Sequence, residues 1–282
     1  MITKNPMQLK AFIKKKAEDI NLPPQIVLQN YIMERLLERI SLSEYQRNFV
    51  LKGGFLIAAI VGLDSRATMD LDTTVKGLPL THESIRRIFD EVCAIAVEDD
   101  IDFNVKRIAD IREGGDYPGL RVSLIANYPT LAIPLSVDVT TGDKITPREI
   151  EYSVRLMFDD RSISVMAYNL ETILAEKLET VLSRNIASTR PRDFYDLHIL
   201  YSLRSSDCDT AVLRQALNET AQSRGSLPIM GRYRETVADI LESTQMQGFW
   251  QKYREEYEYA KDIGFAETCS TILRIMETIG IE

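Results

Sequence analysis

The 282 residues carry 42 acidic against 34 basic side chains, a formal net charge of −8, with 45% hydrophobic residues. Such a chain builds a buried core in one large or two ordinary domains, and its acidity argues against a general nucleic-acid coat, which binds by neutralising phosphates. No run approaches the ~18 apolar residues of a membrane span, and three scattered cysteines with only two histidines exclude a disulfide framework, the usual zinc sites and a Ser-His-Asp relay.

In chain order, the first fifty residues read as helices. Asn5 before Pro6 has the form of an N-cap followed by a first-turn proline, and Lys4, Lys10, Lys14, Lys15 and Lys16 make the opening segment basic. Pro23-Pro24 interrupts, after which Ile26, Val27, Tyr31, Ile32, Leu36 and Leu37 recur at helical spacing. Ser41 with Glu44 has capping-box form and predicts a further short helix. Asn48 to Leu51 reads as a strand running into Lys52-Gly53-Gly54, and Phe55 to Val61 as a buried helix ending near Gly62. Strands are expected over Met69–Val75, Asp102–Ile108, Leu120–Ala126 and Ala132–Thr140, separated by Gly-Gly, Tyr-Pro and Thr-Gly-Asp turn signals, with a helix over Thr81–Ala96 among them. From Asn169 the pattern is helical nearly to the end. The expected organisation is α+β: a sheet domain with helical N-terminal extension over 1–165 and a helical domain over 166–282.

The segment Arg66-Ala67-Thr68-Met69-Asp70-Leu71-Asp72 carries chemistry. In a strand, residues i and i+2 share a face, so Asp70 and Asp72 would stand side by side with Leu71 turned into the core. Paired carboxylates repel unless a cation sits between them, and Mg²⁺ (or Mn²⁺) takes carboxylates together with substrate phosphates. In Leu135-Ser136-Val137-Asp138-Val139 the apolar residues form one face and Asp138 falls on the other. If the two strands pair, three acids converge as a ligand set for two-metal phosphoryl transfer. Gly53-Gly54, between strand and helix, could offer backbone amides to a phosphate or could simply be a close-packing turn. No Walker A pattern is present.

Further on, Ile173, Leu174, Leu178, Val181 and Leu182 form an apolar helical stripe, and Lys177 sits inside it. A lysine there must snorkel or find an anion. Arg184 lies on the same side. In Arg190-Pro191-Arg192-Asp193-Phe194-Tyr195-Asp196-Leu197, the plain reading has Asp193 capping a helix whose core face is Leu197 and Leu200.

Taken together these segments resemble the AbiEii/AbiGii-type nucleotidyltransferase toxins. The resemblance is carried by Phe49–Gly54, Arg66–Asp72, Val137-Asp138-Val139 before Gly142-Asp143, Ala175-Glu176-Lys177-Leu178, Arg184 and Arg192–Leu197, over roughly residues 25 to 200. It implies a polymerase β-like nucleotidyltransferase sheet domain followed by helices. It further implies Asp70, Asp72 and Asp138 as metal-binding and catalytic acids, and a nucleotide site from Lys52, Gly53, Gly54, Arg66, Thr68, Lys177 and Arg184. Lys177 would meet phosphates, and Asp193 or Asp196 would complete the site. One departure is that the Gly-Gly pair replaces the Gly-Ser of broader nucleotidyltransferases, with a longer gap to the acids, so phosphate contact there would rest on backbone amides.

The function expected is transfer of a nucleoside monophosphate from an NTP to an RNA end, such as the tRNA 3′ end, by the toxin of an abortive-infection toxin–antitoxin pair with a separately encoded antitoxin. The alternatives are a protein or small-molecule acceptor, or a non-catalytic nucleotide- or partner-binding descendant. Met1 to Pro6 lacks a secretory layout, so the cytoplasm is the expected compartment, with no membrane partner.

Overall fold

The computed structural model describes residues 6–111, 119–129 and 131–281. Lys4, the Asn5 cap and the Gly114-Gly115 turn signal lie outside the described residues. Two compact units form: Met1–Asp143 with Glu149–Ala167, and Lys144–Arg148 with Tyr168–Glu282.

In the first unit, helix α1 (Pro6–Asp19) is followed by α2 (Pro24–Leu42), which the Pro23-Pro24 break starts at its second proline. The periodic apolar face of α2 is buried, but so are Glu34, Arg35, Glu38 and Arg39. Burial raises the Glu34 carboxyl above its ordinary value against the opposing pull of Arg35. These charges survive burial because each is paired. Arg35 binds Glu34 at 2.5 Å and Glu38 at 2.6 Å, and Arg39 forks onto Asp99 at 2.7 and 2.8 Å. The short helix expected from Ser41 does not form. Helix α2 runs through Ser41, whose hydroxyl donates to the Glu38 carbonyl, and the chain then turns.

Strand β1 (Phe49–Lys52) enters α3 (Gly53–Val61), and Gly62 at φ 100° ends that helix. Then come β2 (Leu71–Val75), α4 (His82–Cys93) capped by Thr81, β3 (Asp102–Asp110), β4 (Gly119–Tyr128) and β5 (Leu131–Thr141). Two strands were not expected: β6 (Ile150–Arg155) and β7 (Ser162–Ala167). They pair as an antiparallel hairpin, and Asp159-Asp160-Arg161, at the expected domain boundary, lies in its loop. Arg161 of that loop reaches back to Glu38 at 2.8 Å, and the Met157 amide donates to Glu34.

The seven strands form one mixed sheet in the order β3-β4-β5-β2-β1-β7-β6. β2 pairs antiparallel with β1 and parallel with β5, and β4 pairs antiparallel with β5. Leu135, Val137 and Val139 are fully buried, as their alternation predicts.

The second unit is helical: α5 (Leu170–Arg184), α6 (Pro191–Arg204), α7 (Thr210–Ser223), the four-residue α8 (Leu227–Met230), α9 (Tyr233–Glu242), α10 (Thr244–Glu256) and α11 (Phe265–Thr278). Asn169 caps α5 by accepting from the Thr172 amide at 2.8 Å, and its own amide group donates to the Thr146 carbonyl at 2.7 Å. That bond, with those between Thr146 and Thr172 and from the Thr146 hydroxyl to Glu219, ties Lys144–Arg148 to this unit. Among the described residues, no helix is long and apolar enough to cross a membrane.

Candidate active site

Strand register in the first unit places four charged residues in one row. Lys52 of β1 opposes Asp72 of β2, Asp72 opposes Asp138 of β5, and Asp138 opposes Arg121 of β4. Register partners share a face of the sheet, so the row reads cation, acid, acid, cation. Arg121 binds Asp138 with both arms of its fork, Nε to Oδ1 and Nη2 to Oδ2, each at 2.7 Å. Its proton is held more tightly than an ordinary arginine's, first by that hydrogen bond and the Asp138 charge, with Asp70 and Asp72 also contributing. At the other end the Lys52 ammonium donates to Asp143 Oδ2 at 2.5 Å and to Thr140 Oγ1 at 2.8 Å. Burial would raise the Asp143 carboxyl, but the Lys52 charge and the hydrogen bonds from Lys52, Thr140 and Thr74 hold it below its ordinary value.

Asp70 is not in the strand. β2 begins at Leu71, which pairs with Val137 of β5 as the first β2–β5 register pair, while pairing with β1 starts only at Asp72. Asp70 is therefore exposed at the mouth of the strand, and the strict side-by-side geometry expected of a strand pair does not apply to it. Leu71 is turned fully into the core, as expected.

The two glycines are fixed by these same residues. Gly53 has φ +68°, a backbone that favours glycine, and a Cβ there would lie 2.0 Å from Asp72 Oδ2. A Cβ at Gly54 would lie 2.7 Å from Thr68 Oγ1 and 3.5 Å from an Arg66 terminal nitrogen. The turn packs closely against the acid-bearing segment, and it also begins α3, so both uses of the glycine pair remain open to it. Arg66 and Thr68 are buried. The Arg66 guanidinium donates to the Ala67 carbonyl, while Asn30 of α2 donates to the Thr68 carbonyl at 2.8 Å. A cleft of about 760 Å³ opens beside Asn30, Glu34, Phe55, the end of β6 and the loop after it. The carboxylate row does not line it.

A hard divalent ion suits Asp70 and Asp72 in donor chemistry, since Mg²⁺ is commonly held by one or two carboxylates plus substrate phosphates. Arg121 competes for both Asp138 oxygens. Among the described residues no three acidic, histidine or cysteine side chains gather closely enough to hold a metal ion.

In the second unit, Lys177 of α5 meets both candidate acids of α6: Asp193 Oδ1 at 2.5 Å and Asp196 Oδ2 at 2.8 Å. Asp193 and Asp196 are 4% and 0% exposed at the side chain, against 19% for Lys177. Burial pulls the lysine's proton affinity down, but the charges of Asp196 and Asp193 more than restore it and leave it raised. The anion that a lysine in an apolar stripe needs is thus supplied from inside. Asp193 is not a cap, since it lies within the first turn of α6 behind Arg190, and its Oδ2 is buried with no hydrogen-bond partner. Arg184 and Arg192 are exposed.

Sequence reasoning did not single out Arg121. Its only signal is alternation, since in Leu120-Arg121-Val122 it is the polar residue between two buried ones, and nothing local says which acid it faces.

Two solved Helicobacter pylori structures share the fold: a protein assigned as a nucleotidyltransferase, and JHP933. Each is 16% identical with a TM-score of 0.51 over 92% of this chain, covering 97% and 94% of the respective structures. No curated protein matches the sequence significantly. A sequence model of the nucleotidyl transferase AbiEii toxin of type IV toxin–antitoxin systems matches residues 35–270, a span containing the whole carboxylate row and the Lys177 cluster, and this chain belongs to that nucleotidyltransferase family.

Proposed function

We propose that the enzyme transfers a nucleoside monophosphate from an NTP to the 3′ end of an RNA, tRNA being the expected acceptor, in a reaction that depends on Mg²⁺ or Mn²⁺. The observation that supports this most is the row itself: Asp72 and Asp138 adjacent on one sheet face, with Gly53 packed against Asp72 and Asp70 open at the strand mouth. Asp70 and Asp72 would hold the divalent ion, which when bound supplies Lewis-acid stabilisation to the reacting phosphate. Backbone amides at Gly53 and Gly54, at the N-terminus of α3, orient triphosphate oxygens, and Arg66 and Thr68 shape the segment behind them. The acceptor hydroxyl forms a bond to the α-phosphorus, the α–β phosphoanhydride bond breaks, and pyrophosphate leaves. The hydroxyl proton passes to a carboxylate of the row.

Lys177 enters this reading as the centre that fixes α5 to α6, and a phosphate contact from its ammonium would take one of its bonds to Asp193 or Asp196. RNA affinity must come from local basic surface, because the chain as a whole is acidic. Arg184, Arg192, Lys10, Lys14 and Lys15 are the exposed candidates, with Lys16 half-buried. A cytoplasmic toxin held in check by a separately encoded antitoxin is the setting that family membership suggests.

The test is incubation with α-labelled NTPs, Mg²⁺ and total RNA. Label in an RNase-sensitive product of tRNA size, absent in EDTA, is expected, with RNA affinity falling with salt at a log–log slope of about −0.7 per phosphate contact. Label that survives RNase but not protease would instead assign a protein acceptor.

A further inference from the structure

We infer that Arg121 is the built-in counter-cation of the carboxylate row: it holds Asp138 while no divalent ion is bound and releases that carboxylate when one arrives. The inference rests on the metal-dependent reading of the row.

Two acids at adjacent register positions repel, and some cation must lie among them for the unloaded site to keep its shape. Of the two cations that end the row, one is fixed and one is movable. Lys52 is 16% exposed at the side chain and is pinned by Asp143 and Thr140. Arg121 is 51% exposed, and its described hydrogen bonds are the two to Asp138. A half-exposed guanidinium can return to water at small cost. It also stays charged at every working pH, so it always competes with an incoming ion for the same two oxygens. The fork takes one lone pair on each Asp138 oxygen and neutralises its charge, so an incoming ion must compete with Arg121 for that carboxylate. Arg121 is in this sense a positioning residue: it neutralises the row at rest and sets how readily the row accepts a metal.

The full-length protein, Arg121→Lys and Arg121→Gln are titrated with Mn²⁺ in the absence of nucleotide, following free Mn²⁺ by electron paramagnetic resonance. Thermal melts are recorded in EDTA and in excess Mn²⁺. Arg121→Gln is expected to bind Mn²⁺ about fivefold tighter than the wild type, the upper range for losing a half-exposed competing ion pair, with Arg121→Lys between them. In EDTA Arg121→Gln should melt lower than the wild type, and Mn²⁺ should close that gap. Equal Mn²⁺ affinity in all three proteins would overturn the inference, as would a melting difference that Mn²⁺ leaves unchanged, which marks a merely structural ion pair. If Arg121→Gln does not fold, the Arg121→Lys comparison decides by the same criteria. Absence of Mn²⁺ binding by any of the proteins would overturn the inference together with the metal reading. Equal binding in proteins that still require Mn²⁺ for transfer would overturn the role of Arg121 alone.

Discussion

The row Lys52–Asp72–Asp138–Arg121 and the cluster Lys177–Asp193–Asp196 are made of the same chemistry, carboxylates held by cations, and differ in their surroundings. The row lies across four strands with a half-exposed arginine at one end and an exposed acid, Asp70, at its mouth. On the proposed reading its pairings exchange with ions and phosphates from solvent. The cluster lies between α5 and α6, with both acids buried. Its two acids have almost no solvent to fall back on, so they depend on the partly exposed Lys177. The contrast teaches that exposure, more than residue type, separates acids free to do chemistry from acids committed to the fold.

The largest effect should come from breaking the buried cluster. Lys177→Met keeps the apolar stem and removes the ammonium that buried Asp193 and Asp196 share, which should cost about 3–5 kcal/mol in urea unfolding. A variant that melts like the wild type, or above it, would remove the cluster's structural role. Next is the glycine turn. Gly53→Ala forces a side chain into a left-handed backbone and against Asp72, and should cost about 1–3 kcal/mol while displacing the row. Its transfer rate should therefore fall further than that of Gly225→Ala, which has a similar φ and nothing within 4 Å of the added Cβ.

The smallest effect concerns the pinned end of the row. The Asp143 carboxyl is held below its ordinary value, so the stability it contributes is fully present above the usual carboxylate range and is lost as pH falls through its depressed value. Asp143→Asn should be less stable by about 1–2 kcal/mol at neutral pH, and the gap should shrink in a pH series of unfolding curves carried well below pH 4. A gap independent of pH would show that the Lys52–Asp143 pair contributes packing only.

Much of the sheet was legible in the sequence because β4 and β5 alternate sharply, as in Leu135, Val137 and Val139 against Asp138, and because β1 and β2 are short apolar or β-branched runs. The β6–β7 hairpin shows the same alternation in Tyr152 and Val154 and in Ile163 and Val165, yet its charged Asp159-Asp160-Arg161 loop reads equally well as a linker. What distinguishes it is long-range: Arg161 is held by Glu38, a partner 123 residues away. The acids at 70, 72 and 138 were legible as types and spacings. Their arrangement was not, because it depends on parallel pairing of β2 with β5 and on β2 starting at Leu71. Arg121 was invisible because only the antiparallel register of β4 against β5 assigns it to Asp138. Lys177 was legible as a charge inside an apolar stripe. That it binds both Asp193 and Asp196, rather than one of them, follows from α6 presenting residues three apart on one face.

The central claim, that the open row does the chemistry, is tested most directly by Asp72→Asn, with single-turnover transfer and urea unfolding measured on the same preparation. The account predicts that transfer from NTP falls by roughly a hundredfold or more while the protein still folds cooperatively, since Asp72 faces the Lys52 cation on one side and the Asp138 acid on the other. Undiminished transfer, or a loss of activity that only tracks a loss of fold, would contradict it.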